Sequence, residues 1–488
     1  MTLAVSSKTL LILRRPRFGL AALVLSVALV SVVVGDLSQT GSGRRIAITF
    51  CVLAALLGLS WRSPRAGFLT LVLWGTALGM IRRIVDAFTP PTATDPLLLV
   101  LPIVLVVLVG AAARRGTFRN LQSLAKSVLV LDCLILLGAL NPLQGGLRVG
   151  LAGLLFVLIP TLGFWFGRIF CDDRLLRSVL LLIALLGVAV AFYGLAQSLV
   201  GFPSWDKQWV TASNLVSLNV NGSIRPFSSL SSPAEYGTFL IIAVLAWVLF
   251  AGRRVAVAPL SLGALCLLIP ALVYQSSRGA VVALVLALGV IAGAWRRLPL
   301  VATGLFAVGL MLALVFAVRS YAPATPGSGQ GSGLIYHEAA GLGNPLNAQS
   351  STAVGHLRLM VNGIKHAFTN PVGEGIGTIN IAGDKFGGVV QGTEADPSNV
   401  AVALGLPGLV AYLAIVGLGF SKAYRLATRA RSTAALAALG LMTVTILQWL
   451  NGGEYAVAFL PWLALGWVDR RGTAQAEALD IGREAAHA

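Results

Sequence analysis

Long apolar runs recur along almost the whole chain, separated by short links rich in arginine, glycine and proline. The hydrocarbon core of a bilayer takes roughly 17 to 25 apolar residues per helix, and backbone inside it must satisfy its own hydrogen bonds. A chain built this way folds as packed membrane helices. Composition agrees, because with 57% hydrophobic and only 11% charged residues a 488-residue chain cannot cover a water-facing surface. We expect an all-α, polytopic membrane protein of about 14 transmembrane helices, with a large external loop between helices 11 and 12.

The runs place helices near 18–35, 46–61, 66–81, 97–112, 127–140, 149–167, 178–201, 234–251, 256–275, 279–295, 299–318, 400–420, 433–450 and 454–468. Alternation through these boundaries puts Arg253-Arg254, Arg296-Arg297, the Lys422 to Arg431 cluster and Arg470-Arg471 on one face, which the positive-inside rule assigns to the cytoplasm. Both termini then lie inside. The resulting divisions are a cytoplasmic amino terminus (1–17), a membrane domain (18–320) with an external loop at 202–233, a large external loop (321–399), carboxy-terminal membrane helices (400–468) and a cytoplasmic tail (469–488).

The net charge of +18 would point to nucleic acid in a soluble chain. Here the basic residues sit in links between apolar runs, where they anchor helices, so no nucleic-acid partner is expected. Cys51, Cys133, Cys171 and Cys266 lie in or beside apolar runs without the Cys/His spacing of a zinc site. No structural disulfide, metal or cofactor is assigned.

Two arginines stand apart from the cytoplasmic set. Arg225, in Asn221-Gly222-Ser223-Ile224-Arg225-Pro226-Phe227, and Arg278, in Tyr274-Gln275-Ser276-Ser277-Arg278-Gly279, fall on the same side as the long insert. Each either snorkels to lipid headgroups or faces a polar pocket. If the two converge, their planar forks suit a phosphate or diphosphate.

The insert, Tyr321 to Asn399, opens with a Gly/Pro/Ser-rich stretch, Pro323 to Gly333, read as a flexible segment, and order is expected to return near His356. From there Leu357, Met360, Val361, Ile364 and Phe368 recur at helical spacing, with Arg358, Asn362, Lys365 and His366 on a separate polar face. Such a helix either lies on the bilayer surface or offers its polar face to a ligand. Gly373-Glu374-Gly375-Ile376-Gly377 then supplies a flexible turn whose amides are either structural or ligand-facing. Glu394 and Asp396, before Pro397-Ser398-Asn399, either cap the next helix or act as a general base for a sugar hydroxyl. His337, His356 and His366 are left open between plain solvation and function, and of the three only His356 is offered as reaching an acceptor.

The order of these features resembles the O-antigen ligase and O-antigen polymerase superfamily of bacterial envelope glycosyltransferases. The likeness covers roughly 201–413. It rests on Arg225-Pro226-Phe227, Pro233-Ala234-Glu235-Tyr236 entering a helix, Ser276-Ser277-Arg278-Gly279, Arg358, the Asn370 to Gly377 run and Gly405-Leu406-Pro407-Gly408. It implies a metal-independent glycosyltransferase working on an undecaprenyl-diphosphate-linked glycan at the outer face of the cytoplasmic membrane. Arg225 and Arg278 would hold the diphosphate; by their place in the sequence, and not by the resemblance, Asp396 or Glu394 are offered as catalytic and His356, Arg358, Lys365, Glu374 and Asn399 as binding substrate.

Where ligases of the superfamily often carry His-Asn, this chain has Ser398-Asn399. That shifts the expectation from ligase to polymerase of lipid-linked repeats, with membrane lipids and a chain-length regulator as further partners. Ligase-type transfer to a lipid or protein acceptor is the alternative. A flippase of lipid-linked glycans is the competing class, supported by Asp132 within an apolar run.

Overall fold

The computed structural model describes residues 41–88, 95–213, 218–220, 222–251, 258–321, 325, 330–347, 351–393 and 395–472. The expected helix at 18–35 and residues 473–488 of the tail lie outside the described residues. The helices are α1 (Gly41–Arg62), α2 (Pro64–Phe88), α3 (Val100–Arg114), α4 (Ser123–Gly138), α5 (Leu147–Phe170), α6 (Asp173–Leu199), α7 (Ser204–Ser213), α8 (Pro233–Ala251), α9 (Ala258–Gln275), α10 (Arg278–Trp295), α11 (Leu300–Tyr321), α12 (Gln330–Gly343), α13 (Ala353–Thr369), α14 (Ile381–Lys385), α15 (Asp396–Ala430), α16 (Thr433–Val444) and α17 (460–472). A two-stranded antiparallel hairpin pairs β1 (Asn219–Val220) with β2 (Ser223–Ile224), Asn219 opposite Ile224.

Among the described residues, 10 helices are long and apolar enough to cross a membrane. The chain is an all-α, multi-pass membrane protein. Three expected spans form shorter helices: 127–140 meets α4, 433–450 meets α16 and 454–468 meets α17. All 12 residues of α16 are buried, packed among α8, α10 and α15. A helix that is apolar all round belongs in the interior. By contrast, only 11% of the apolar window of α11 is buried, which leaves that helix as an outer wall.

The core is aromatic. Phe68 stacks on Phe166 with centroids 4.7 Å apart, and Trp449 meets Trp462 edge-on at 6.2 Å. At the end of the bundle where α5, α15 and α17 meet, Asp469 accepts from Arg168 Nε at 2.7 Å and from Lys422 Nζ at 3.3 Å, tying the three helices together.

One feature of the insert differs from expectation, and one reading left open is decided. First, order begins well before His356, because α12 starts at Gln330. Its glycines are packing positions: a Cβ on Gly331 would come within 2.8 Å of the Tyr274 ring, and one on Gly333 within 2.6 Å of Ser223 Oγ. Glycines that read as a linker instead let α12 press onto α9 and the hairpin. Second, the Gly373 to Gly377 turn is buried and its amides are occupied. Gly373 N, Glu374 N, Gly375 N and Gly377 N donate to Asn370 O (3.1 Å), Val402 O (2.9 Å), Ala403 O (2.9 Å) and Gln144 Oε1 (2.9 Å). These four amides hold the protein together and do not face a ligand.

That turn explains an interruption in α15. Gly405 leaves helical geometry with φ 62° and ψ −153°, and Pro407 has no N–H to give. The backbone groups set loose are taken up by the insert, since Leu406 N donates to Pro371 O at 3.0 Å while Val402 O and Ala403 O accept as above. Non-helical backbone in a membrane helix survives where protein supplies the missing partners.

Candidate active site

The loop that carries Arg225 is braced from below by a buried ion pair. Arg83 on α2 donates through Nε to Asp206 Oδ1 at 2.6 Å, and through Nη1 to Leu230 O at 2.6 Å. Asp206 Oδ2 also accepts from Tyr193 Oη at 2.6 Å and Gln197 Nε2 at 2.7 Å. Gln197 Oε1 in turn takes the amides of Phe227 (3.1 Å) and Ser228 (2.7 Å), and the Arg83 guanidinium lies over the Phe227 ring at 4.7 Å. Every polar group in this network has a partner, which is what makes burial of two charges tolerable.

Held by that brace, Arg225 follows β2. Its amide donates to Leu218 O at 2.8 Å and its Nε to Gln275 O at 2.9 Å. Gln275 Nε2 donates to Pro233 O at 2.6 Å, so the two arginine-bearing loops and the start of α8 are joined. The chain then turns through Ser276, a non-glycine residue at φ 57°, and enters α10 at Arg278.

Helix α12 completes the site. Arg278 Nη2 donates to His337 Nε2; His337 Nδ1 lies 2.9 Å from Ser276 Oγ, which itself donates to Leu334 O at 3.1 Å. This chain of donors assigns the proton of a neutral imidazole to Nδ1. Burial, reinforced by the positive charges of Arg278 and Arg225, pulls His337 down to about 4 and keeps it neutral. One turn further on, Gly341 makes room for Arg278, since a Cβ there would come within 2.2 Å of Nη1.

Glu338, next to His337, is 3% exposed, and neither carboxylate oxygen has a hydrogen-bond partner among the described residues. Burial raises it to about 7, against the opposing pull of Arg278 and Arg225. Burial likewise lowers Arg225 to about 10, opposed by Glu338 and assisted by Arg278, so it stays protonated at neutral pH. Arg225 and Arg278, 53 residues apart in sequence by their numbering, thus act on one buried carboxylate. Two guanidiniums, a neutral imidazole and a carboxylate poised near neutrality can bind an anion and accept a proton in the same place.

The remaining expected site residues lie elsewhere. Asp396 is 3% exposed, and its Oδ2 accepts from Tyr412 Oη at 2.9 Å, Leu450 N at 3.1 Å and Trp449 N. Its carboxylate thus clamps the turn after α16. Asn399 Oδ1 accepts from Thr393 N at 2.7 Å and Thr393 Oγ1 at 2.9 Å. His366 Nε2 stands 2.8 Å from Glu374 Oε1 without an aligned hydrogen bond. His356 Nε2 meets Thr352 Oγ1 at 3.0 Å, while Arg358 and Lys365 are exposed on α13. This second group lies on α13, just after it and at the start of α15, two helices that pack on each other, whereas α12 packs on α9 and α11. Glu394 lies outside the described residues.

Sequence reasoning passed over Glu338 and the Arg83–Asp206 brace, and left His337 open between solvation and function. One signal was present: Gly333, His337 and Gly341 stand four residues apart, a single helical stripe with small residues on either side of a histidine. Asp132, the residue that favoured transport, accepts from Trp165 Nε1 at 2.6 Å across the α4–α5 contact.

The fold and site define a multi-pass membrane protein with a cationic, partly buried cluster beside α10. The chain matches no protein-family model and no curated protein.

Proposed function

We propose that the protein is a polymerase of lipid-linked surface polysaccharide repeats, a metal-independent glycosyltransferase of the bacterial cytoplasmic membrane whose site faces outside. The observation that carries this reading is the convergence on one turn: Arg225 Nε donates to Gln275 O at 2.9 Å, and Arg278, three residues after Gln275, donates to His337, the neighbour of Glu338. In the proposed step, a sugar hydroxyl of the acceptor attacks the anomeric carbon of an undecaprenyl-diphosphate-linked glycan. The new glycosidic C–O bond forms as the bond to the diphosphate oxygen breaks, with inversion. Arg225 and Arg278 take the charge that grows on the leaving diphosphate. Glu338 takes the hydroxyl proton, a role that its value near neutrality suits better than the inward-bonded Asp396. Ligase-type transfer to a lipid or protein acceptor uses the same donor chemistry and differs only in the hydroxyl that attacks.

Liposomes containing the purified protein and a fluorescent undecaprenyl-diphosphate oligosaccharide, with EDTA present, test this reading. A ladder of longer lipid-linked glycans is expected, and it should vanish in Arg225→Ala and Arg278→Ala without loss of folded protein. Arg→Lys at either position should keep some binding and lose most turnover, because the paired geometry is gone. Full-length polymer from both alanine variants would overturn the assignment. The interruption of α15 at Gly405 favours transport as a second reading; unextended substrate that crosses the bilayer would select it.

A further inference from the structure

At the end of α10 away from Arg278, the turn into α11 and the later half of α15 border an open surface groove of about 680 Å³ in which the arginines are exposed. Arg297, Arg425 and Arg429 line it beside the hydroxyls of Ser421 and Thr428, and no acidic residue is among its described lining. None of these three arginines is in an ion pair among the described residues, whereas their neighbour Arg431 stacks on Trp295 at 5.5 Å. The walls are fixed. Tyr424 Oη donates to Leu298 O at 2.6 Å and pins the turn, and Arg425 donates through Nε and Nη2 to Ser421 O (3.1 Å) and Ser421 Oγ (3.2 Å), which orients its guanidinium.

Arg297 adds a second, independent observation. It follows Arg296, the cap of α10, at φ 58°, a left-handed position that favours glycine, yet a long cationic side chain stands there at the rim of the groove. Leu300, on the same rim, starts α11, the least buried of the ten long helices. Val301, Leu305, Val308 and Leu312 are exposed along it (76%, 69%, 51% and 64%), an apolar track leading away from a cationic groove.

We propose that this groove binds the phosphate headgroup of an anionic membrane lipid whose acyl chains lie along α11. Three guanidiniums and the Ser421 hydroxyl match phosphate oxygens, while Thr428 Oγ1 donates its proton to Tyr424 O at 3.0 Å. A choline headgroup brings its own positive charge to the same groove. The site is distinct from the Arg225–Arg278 cluster, since the length of α10 separates the two.

The full-length protein in detergent, titrated with short-chain phosphatidylglycerol, short-chain phosphatidylcholine and inorganic pyrophosphate and followed by native mass spectrometry, tests the proposal. Phosphatidylglycerol should bind in preference to both other probes. Arg297→Gly, Arg425→Gln and Arg429→Gln should each weaken it about fivefold. Arg297→Gly also relieves the left-handed arginine, so its thermal midpoint should not fall and lost binding cannot be ascribed to misfolding. Repeating the titration in Arg278→Ala identifies anion binding that belongs to the other site, and phosphatidylglycerol binding should survive there. Equal binding of the two lipids, or unchanged phosphatidylglycerol affinity in all three variants, overturns the site; pyrophosphate binding more tightly than phosphatidylglycerol overturns its assignment to lipid.

Discussion

The guanidinium of Arg278 donates to Nε2 of His337, a residue that sequence places at the far side of two helices and a glycine-rich stretch. That bond fixes the arginine by an acceptor that carries no charge, so it orients Arg278 without neutralising it. Replacing His337 with Phe should keep the packing and remove the acceptor. Donor affinity should then fall by about tenfold or more, since hydrogen bonds to charged groups contribute roughly 1.5 to 3 kcal/mol. Titration with a lipid-diphosphate analogue would read this, and an unchanged affinity would show that Arg278 is held by other means.

The same histidine sets a pH dependence of stability. Folded His337 takes up its proton only near 4, below its ordinary value of 6.5. Between these values the unfolded chain binds the proton and the folded one does not, so stability is lost as pH falls through that window. Thermal midpoints of the wild type should decline more steeply there than those of His337→Phe.

Glu338 sets a second pH dependence, in binding. Above about 7 its carboxylate ionises and adds a negative charge between the two arginines. Affinity for inorganic pyrophosphate should drop with rising pH, by up to about tenfold per pH unit, relative to Glu338→Gln. Comparing wild type and variant removes the titration of pyrophosphate itself. The variant should bind at least as well and turn over about a hundredfold or more slowly; full turnover would exclude Glu338 as the base.

Gly341→Ala separates position from presence. The new methyl would sit 2.2 Å from Arg278 Nη1, and the far end of that flexible side chain is what must move. Alanine also suits a helix better than glycine by about 1 kcal/mol, so the fold should be retained. An unchanged melting curve with severalfold weaker donor binding is expected.

Gly405→Ala should act on the fold instead. Its φ of 62° with ψ −153° is glycine backbone, and a Cβ would come within 2.0 Å of Pro371 O. Backbone strain alone is about 1 to 3 kcal/mol, and loss of the Leu406–Pro371 bond would add to it. Reduced yield of folded protein or a clearly lower thermal midpoint is expected; a midpoint equal to wild type would mean that the insert yields easily at this point.

Some of this was legible in order of residues alone. Hydropathy is a property of consecutive residues, so each expected helix within the described residues meets a helix, and the helical spacing from Leu357 to Phe368 falls on α13. The limits of α4 and α16 were less legible, because an apolar run reads alike whether lipid or protein surrounds it, and α16 is surrounded by protein. Local polarity left Gly373 to Gly377 open between a structural and a ligand-facing turn, and the structural reading holds because Gln144 and the break in α15, elsewhere in the chain, take these amides.

The sequence by itself determined that this chain is a multi-pass helical membrane protein and singled out Arg225 and Arg278 as costly charges in need of a reason. Only the tertiary structure decided their company. Glu338 and His337 join them because the glycines of α12 allow its backbone to approach the hairpin, α9 and α10 closely, while Asp396 is drawn inward by the amides of Trp449 and Leu450. Hydrophobic length is written locally, but the partner of a buried charge is set by which helices pack together, and that depends on contacts between residues far apart in the chain.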